Sequence, residues 1–105
     1  MKIIEATDNE LRVLIFEHPR VIVKFVSEDC PVCEELSPYY RSCAQSPKYA
    51  EITFILMNAA ENPVSSKEVA LTGTPFFAAY RKGVLIFCSL ISTEEGVESV
   101  LRKLL

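Results

Sequence analysis

The chain has 105 residues, half of them hydrophobic, four cysteines and a formal net charge of −3. That length carries one domain, residues 1–105, with a core of its own and no need of covalent staples. The charge is too mild and too free of basic runs for nucleic acid or an anionic membrane surface. No stretch approaches the roughly 20 apolar residues that span a bilayer.

In chain order, Lys2 to Ala6 reads as a short edge strand, and its acidic turn at Glu5 leaves no signal-peptide core. A cytoplasmic, reducing location is therefore expected, where persistent disulfides are rare and redox-active ones are not. Thr7 with Glu10 forms a capping box that opens a helix over Asp8 to Glu17, and Pro19 ends it. Val21 to Ser27 is too apolar for a half-exposed strand, so both faces should be covered, as in a central parallel strand.

Cys30-Pro31-Val32-Cys33 follows at once, and helix-start chemistry surrounds it: Asp29 as N-cap, Pro31 at the first helical position, Glu34 and Glu35 in the opening turn. Strand, turn, CxxC and helix in one small unit is the setting in which two thiols form a redox pair rather than a metal clamp. The helix should run to about Gln45 with Leu36, Tyr40 and Cys43 on one apolar face, kinked at Pro38. Ile52 to Asn58 reads as a strand, Ser65 to Leu71 as a short helix, and Phe76–Tyr80 with Val84–Leu90 as a hairpin around Arg81-Lys82-Gly83. Ser92 with Glu95 should cap a last helix that turns Val97, Val100, Leu101 and Leu104 to the core. The order βαβαβαββα predicts an α/β fold, a mixed sheet with helices on both faces.

The strand before Cys30 and Cys33, Pro38 five residues after Cys33, Asn62-Pro63 twelve residues before Thr74-Pro75, Gly73-Thr74-Pro75 itself and Lys82-Gly83 form one pattern. By these residues the chain resembles the thioredoxin family over nearly its whole length. The resemblance implies a thioredoxin fold and thiol–disulfide exchange with protein substrates. In it Cys30 attacks, Cys33 resolves the mixed disulfide, and Thr74 with a cis Pro75 docks an extended substrate strand. Pro31 and Val32 would border the docking surface. No cofactor and no metal are implied: no second CxxC or CxH pair completes a tetrahedral zinc site. The expected partners are a protein disulfide and a thioredoxin-reductase-like electron donor, met by a monomer. The runner-up is a binding or redox-sensor domain of the same fold.

This sequence also departs from the family. Thioredoxins usually carry tryptophan before the first cysteine and Gly-Pro between the two; here stand Asp29 and Pro31-Val32. Lys24 occupies the place of a buried aspartate, and the lysine that often pairs with that aspartate falls on Leu56. A charged Lys24 about 6 Å from Cys33 would favour the thiolate by roughly 2–3 kcal/mol at an effective dielectric near 20. That would make the disulfide more oxidising and add Lys24 to the candidate catalytic residues. Glu28, Asp29, Glu34 and Glu35 ring the motif with negative charge, which disfavours glutathione and suits a basic protein partner, unless they serve only the helix dipole. Cys43 and Cys88 read as core thiols, His18 as a surface cap, and Phe76, Phe77 and Tyr80 as packing.

Overall fold

The computed structural model describes residues 3–105. Its first strand, β1 (Ile4–Glu5), is shorter than the Lys2–Ala6 expected, and Lys2 lies outside the described residues. Helix α1 (Asp8–Glu17) starts from the expected capping box: the Thr7 hydroxyl accepts from the Glu10 amide (3.4 Å), and Glu10 Oε1 accepts from the Thr7 amide (2.9 Å). Then follow β2 (Arg20–Val26), α2 (Pro31–Gln45), a 3-10 turn over Pro47–Tyr49, β3 (Thr53–Asn58), α3 (Pro63–Glu68), β4 (Phe76–Arg81), β5 (Val84–Leu90) and α4 (Glu94–Lys103). Helix α2 continues through Pro38, whose ring nitrogen has no hydrogen to give the preceding turn. Lys82 and Gly83 both take positive φ (52° and 82°), the twist that a tight β4–β5 hairpin demands.

The starts of α3 and α4 differ from expectation. Helix α3 begins at Pro63 and ends at Glu68, rather than spanning Ser65 to Leu71. Its first turn is capped from another element: the Asp8 carboxylate accepts from the amides of Val64 (3.1 Å) and Ser65 (2.8 Å). Asn62 returns the contact, its Oδ1 accepting from the Asp8 amide at 2.9 Å. Helix α4 is capped by Thr93, not Ser92; the Thr93 hydroxyl accepts from the Gly96 amide at 3.0 Å.

The sheet runs β1-β3-β2-β4-β5, with β1, β3 and β2 parallel and β4 and β5 antiparallel to their neighbours. Its central strand is fully covered, Val21 to Phe25 being buried without a gap. On one face α2 and α4 bury Leu36, Tyr40, Val97, Val100, Leu101 and Leu104 against Ile22, Phe54 and Phe77. On the other, Leu11 of α1 and Val69, just past α3, close over Val21, Val23, Ile55, Met57 and Ala78. Cys43 belongs to the first face. Cys88 packs on the second and is only partly buried, because β5 is an edge strand; its Sγ donates to the Val69 carbonyl at 3.4 Å. The sheet thus separates these two thiols.

Candidate active site

At the C-terminal end of β2 the chain turns sharply into α2. Asp29 does not cap that helix. It is exposed, outside the helix, with φ at 53°, a left-handed conformation that a short polar side chain tolerates better than most. Cys30 is the N-cap instead: its backbone is extended (φ −115°, ψ 91°), and its Sγ accepts from the Cys33 amide at 3.1 Å. Pro31 then takes the first helical position, where its missing N–H costs nothing. Cys30 and Cys33 form a disulfide across a Cα–Cα distance of 5.3 Å. Cys33 is buried, whereas Cys30 is partly exposed beside a cleft of about 160 Å³ that Ser27, Asp29, Ser37 and Leu56 help to line. Pro31 is exposed and Val32 half-buried, its apolar side resting on the α2–α4 core.

The second loop at this end of the sheet is Gly73-Thr74-Pro75, whose Thr74–Pro75 peptide is cis. The register places it: Phe25 pairs with Phe76, so the residues just after β2 and just before β4 lie side by side. Pro75 is buried and Thr74 half-buried. The Thr74 hydroxyl meets that of Ser27 at 2.6 Å. The Pro75 carbonyl accepts from the Ile91 amide at 3.1 Å, while the Thr74 amide and carbonyl make no hydrogen bond among the described residues.

Beneath the disulfide lies Lys24, with no side-chain exposure. Its Nζ donates to the Cys33 carbonyl (2.8 Å) and to Ser37 Oγ (3.2 Å), and stands 5.6 Å from the centre of the Tyr40 ring. Ser37 also donates to the Cys33 carbonyl, at 3.0 Å. Among the described residues no carboxylate pairs with Lys24, and Leu56 stands opposite it on β3. Burial, and next to it the Arg41 charge, pushes the Lys24 amine down from 10.5 to about 8. The Lys24 nitrogen is thus held against the carbonyl of the buried cysteine, with the Ser37 hydroxyl beside it.

The remaining candidates sort by position. Glu28, Asp29, Glu34 and Glu35 are all exposed around the disulfide. Burial raises the Cys43 thiol above its ordinary 9.0 despite the Tyr39 hydroxyl that hydrogen-bonds it, as expected of a core thiol. His18 caps the C-terminus of α1, at the opposite end of β2 from the cysteines. Phe76, Phe77 and Tyr80 are buried. No group of three or more metal-ligating side chains gathers among the described residues. Ser27 and Ser37 carry no motif and escape a sequence reading. Ser37 follows Cys33 by four residues, one helical turn, which is the one hint the sequence offered.

A mixed sheet whose covered central strand ends in a CxxC disulfide at a helix N-terminus, beside a cis-proline loop, defines a thiol–disulfide oxidoreductase of thioredoxin fold. The family model described as Thioredoxin matches residues 2–102, and the chain belongs to the thioredoxin family. Among solved structures it is similar to a thioredoxin of Plasmodium falciparum, at TM-score 0.88 and 24% identity over 96% of this chain and 98% of that one. Mitochondrial thioredoxin 3 of Saccharomyces cerevisiae gives TM-score 0.88 and 24% identity over 97% and 95%. Spinach chloroplast thioredoxin f gives 0.88 and 15% over 97% and 92%. At such identities the likeness is one of fold. No curated protein matches the sequence.

Proposed function

We propose that this chain exchanges disulfides with protein substrates through Cys30 and Cys33. The observation that carries the proposal is the arrangement at the end of β2: a partly exposed cysteine as N-cap of a 15-residue helix, disulfide-linked to a buried one, next to an open backbone at Thr74. In the reduced protein the Cys33 amide and the α2 dipole favour a thiolate at Cys30. That thiolate attacks one sulfur of the substrate disulfide, forms a mixed disulfide and releases one substrate thiolate. Cys33, deprotonated, attacks Cys30 Sγ; the Cys30–Cys33 bond closes and the second substrate thiolate leaves. Two electrons pass to the substrate, and the two protons of the dithiol end on its thiols. An extended substrate segment pairs with the free Thr74 amide and carbonyl as an added strand, over Pro75 and against Pro31 and Val32.

Lys24 enters this reading through charge. Still largely protonated at neutral pH, it favours a Cys33 thiolate and so stabilises the reduced dithiol, making the couple more oxidising than one without it. The exposed acids at Glu28, Asp29, Glu34 and Glu35 select a partner with a basic patch, repel glutathione, and leave a reductase-like protein as the fitting electron donor.

Insulin reduction with a dithiol donor tests the proposal. Wild type should accelerate precipitation well above the donor alone, Cys30→Ser should abolish the effect, and Cys33→Ser should accumulate a mixed disulfide at Cys30. Wild type no faster than the donor would overturn it and leave a binding or redox-sensor domain.

A further inference from the structure

The two loops of the site are held together by side chains where the backbone cannot do it. Strands β2 and β4 pair in one register, Lys24 with Phe77 and Phe25 with Phe76. Two further steps in that register set Val26 against Pro75 and Ser27 against Thr74. The ladder does not follow. Pro75 has no N–H to donate, its carbonyl is taken by the Ile91 amide (3.1 Å), and the Val26 carbonyl is taken by the Ala59 amide (2.8 Å). At the next position the Ser27 and Thr74 hydroxyls meet at 2.6 Å in a partly buried setting. Among the described residues this is the one side-chain hydrogen bond between the Ser27–Cys30 segment and the cis-proline loop.

We propose that Ser27 is a positioning residue: its hydroxyl, bonded to that of Thr74, fixes the spacing between the disulfide and the backbone on which a substrate strand pairs. The inference rests on the docking role given to Thr74 and Pro75 above. Ser27 stands three residues before Cys30 and borders the cleft beside the disulfide, so the segment it anchors is the one that carries the attacking sulfur. A docked strand is registered by Thr74, whereas the sulfur it must meet belongs to Cys30. Without the hydroxyl pair the two loops move independently, and misplacement near 1 Å at a reacting centre can cost on the order of 100-fold. A small dithiol needs no docking strand and does not sense that spacing.

The test is Ser27→Ala, with its rate on a protein disulfide set against reduction of its own Cys30–Cys33 bond by dithiothreitol. We expect kcat/KM on the protein disulfide to fall about 10-fold, chiefly through KM, with the dithiothreitol rate within twofold of wild type. Ser27→Thr keeps a hydroxyl and should restore most of the loss. Thr74→Val should match Ser27→Ala, and the double variant should be no worse than either single one, as two partners of one bond require. Should Ser27→Ala fail to fold, Thr74→Val against Thr74→Ser poses the same question from the other side. Two results would overturn the inference: a Ser27→Ala protein equal to wild type on the protein substrate, or a parallel loss in both reactions, which marks a general structural role. Wild type inert on protein disulfides would instead remove the reading beneath it.

Discussion

Lys24 is the least expected residue of this core. A buried ammonium without a carboxylate is costly, and its fall from 10.5 to about 8 puts that cost near 3 kcal/mol for the charged form. Two hydrogen bonds, each worth about 1 kcal/mol, offset part of it. Lys24→Met, which keeps the volume and removes the charge, should therefore raise stability at pH 7 by about 1–2 kcal/mol in urea melts. The pH dependence has a definite sign. The unfolded amine holds its proton to 10.5 and the folded one only to about 8, so the burial penalty is complete below 8 and is relieved as pH rises between those values. Wild type should gain on Lys24→Met from pH 8 upward. The same variant should make the Cys30–Cys33 couple more reducing by tens of millivolts, since about 30 mV accompanies each tenfold change in the equilibrium. An unchanged potential would confine Lys24 to the structure.

At the scale of elements, α1 and α3 are joined by a reciprocal clasp. Asp8 opens α1 and caps α3; Asn62 precedes α3 and accepts from the Asp8 amide. Partial burial raises the Asp8 carboxyl, but the bonds from the Ser65 side chain and from the Ser65 and Val64 amides, with the Arg12 charge, bring it below its ordinary 3.8. A depressed carboxyl stabilises the fold above its unfolded value and loses that contribution as pH falls through the folded one. Asp8→Ala should cost about 1 kcal/mol at pH 7, the usual worth of a cap, and the gap to wild type should narrow as pH falls below 3.8. Chemical melts at pH 7 and pH 3 check both points. A gap unchanged between pH 7 and pH 3 would mean that packing, not the carboxylate, is lost.

In the whole molecule the sheet acts as a partition. The site is assembled where β2 ends and β4 begins, since pairing Phe25 with Phe76 brings two loops far apart in sequence to one end. The same sheet divides the other two thiols, Cys43 under α2 and α4 and Cys88 on the opposite face beside Val69. A disulfide needs Cα atoms within about 7 Å and converging Cβ vectors, which a strand layer between them denies. A Cys30→Ser/Cys33→Ser protein treated with diamide should form no intramolecular disulfide, as read by alkylation and mass spectrometry. A Cys43–Cys88 link recovered from folded protein would contradict this arrangement.

What depends on neighbours within a helical turn or a strand length was already legible in the chain. The Thr7–Glu10 box, the span Pro31–Gln45, the unbroken burial of Val21–Phe25, the hairpin at Lys82-Gly83 and the inward stripe Val97, Val100, Leu101 and Leu104 follow from chemistry three or four residues deep. The Cys30–Cys33 pair was legible for the same reason. The chain misled at two caps: Asp29 takes a left-handed backbone and the extended Cys30 caps α2, and the extended Thr93 caps α4 in place of Ser92. The cap that Asp8 lends α3, the carbonyl and hydroxyl that hold Lys24, and the meeting of Ser27 with Thr74 arise from the three-dimensional packing alone. Those partners are chosen by strand register and helix placement, and a hydrogen bond between separately placed elements leaves no spacing in the chain from which to read it.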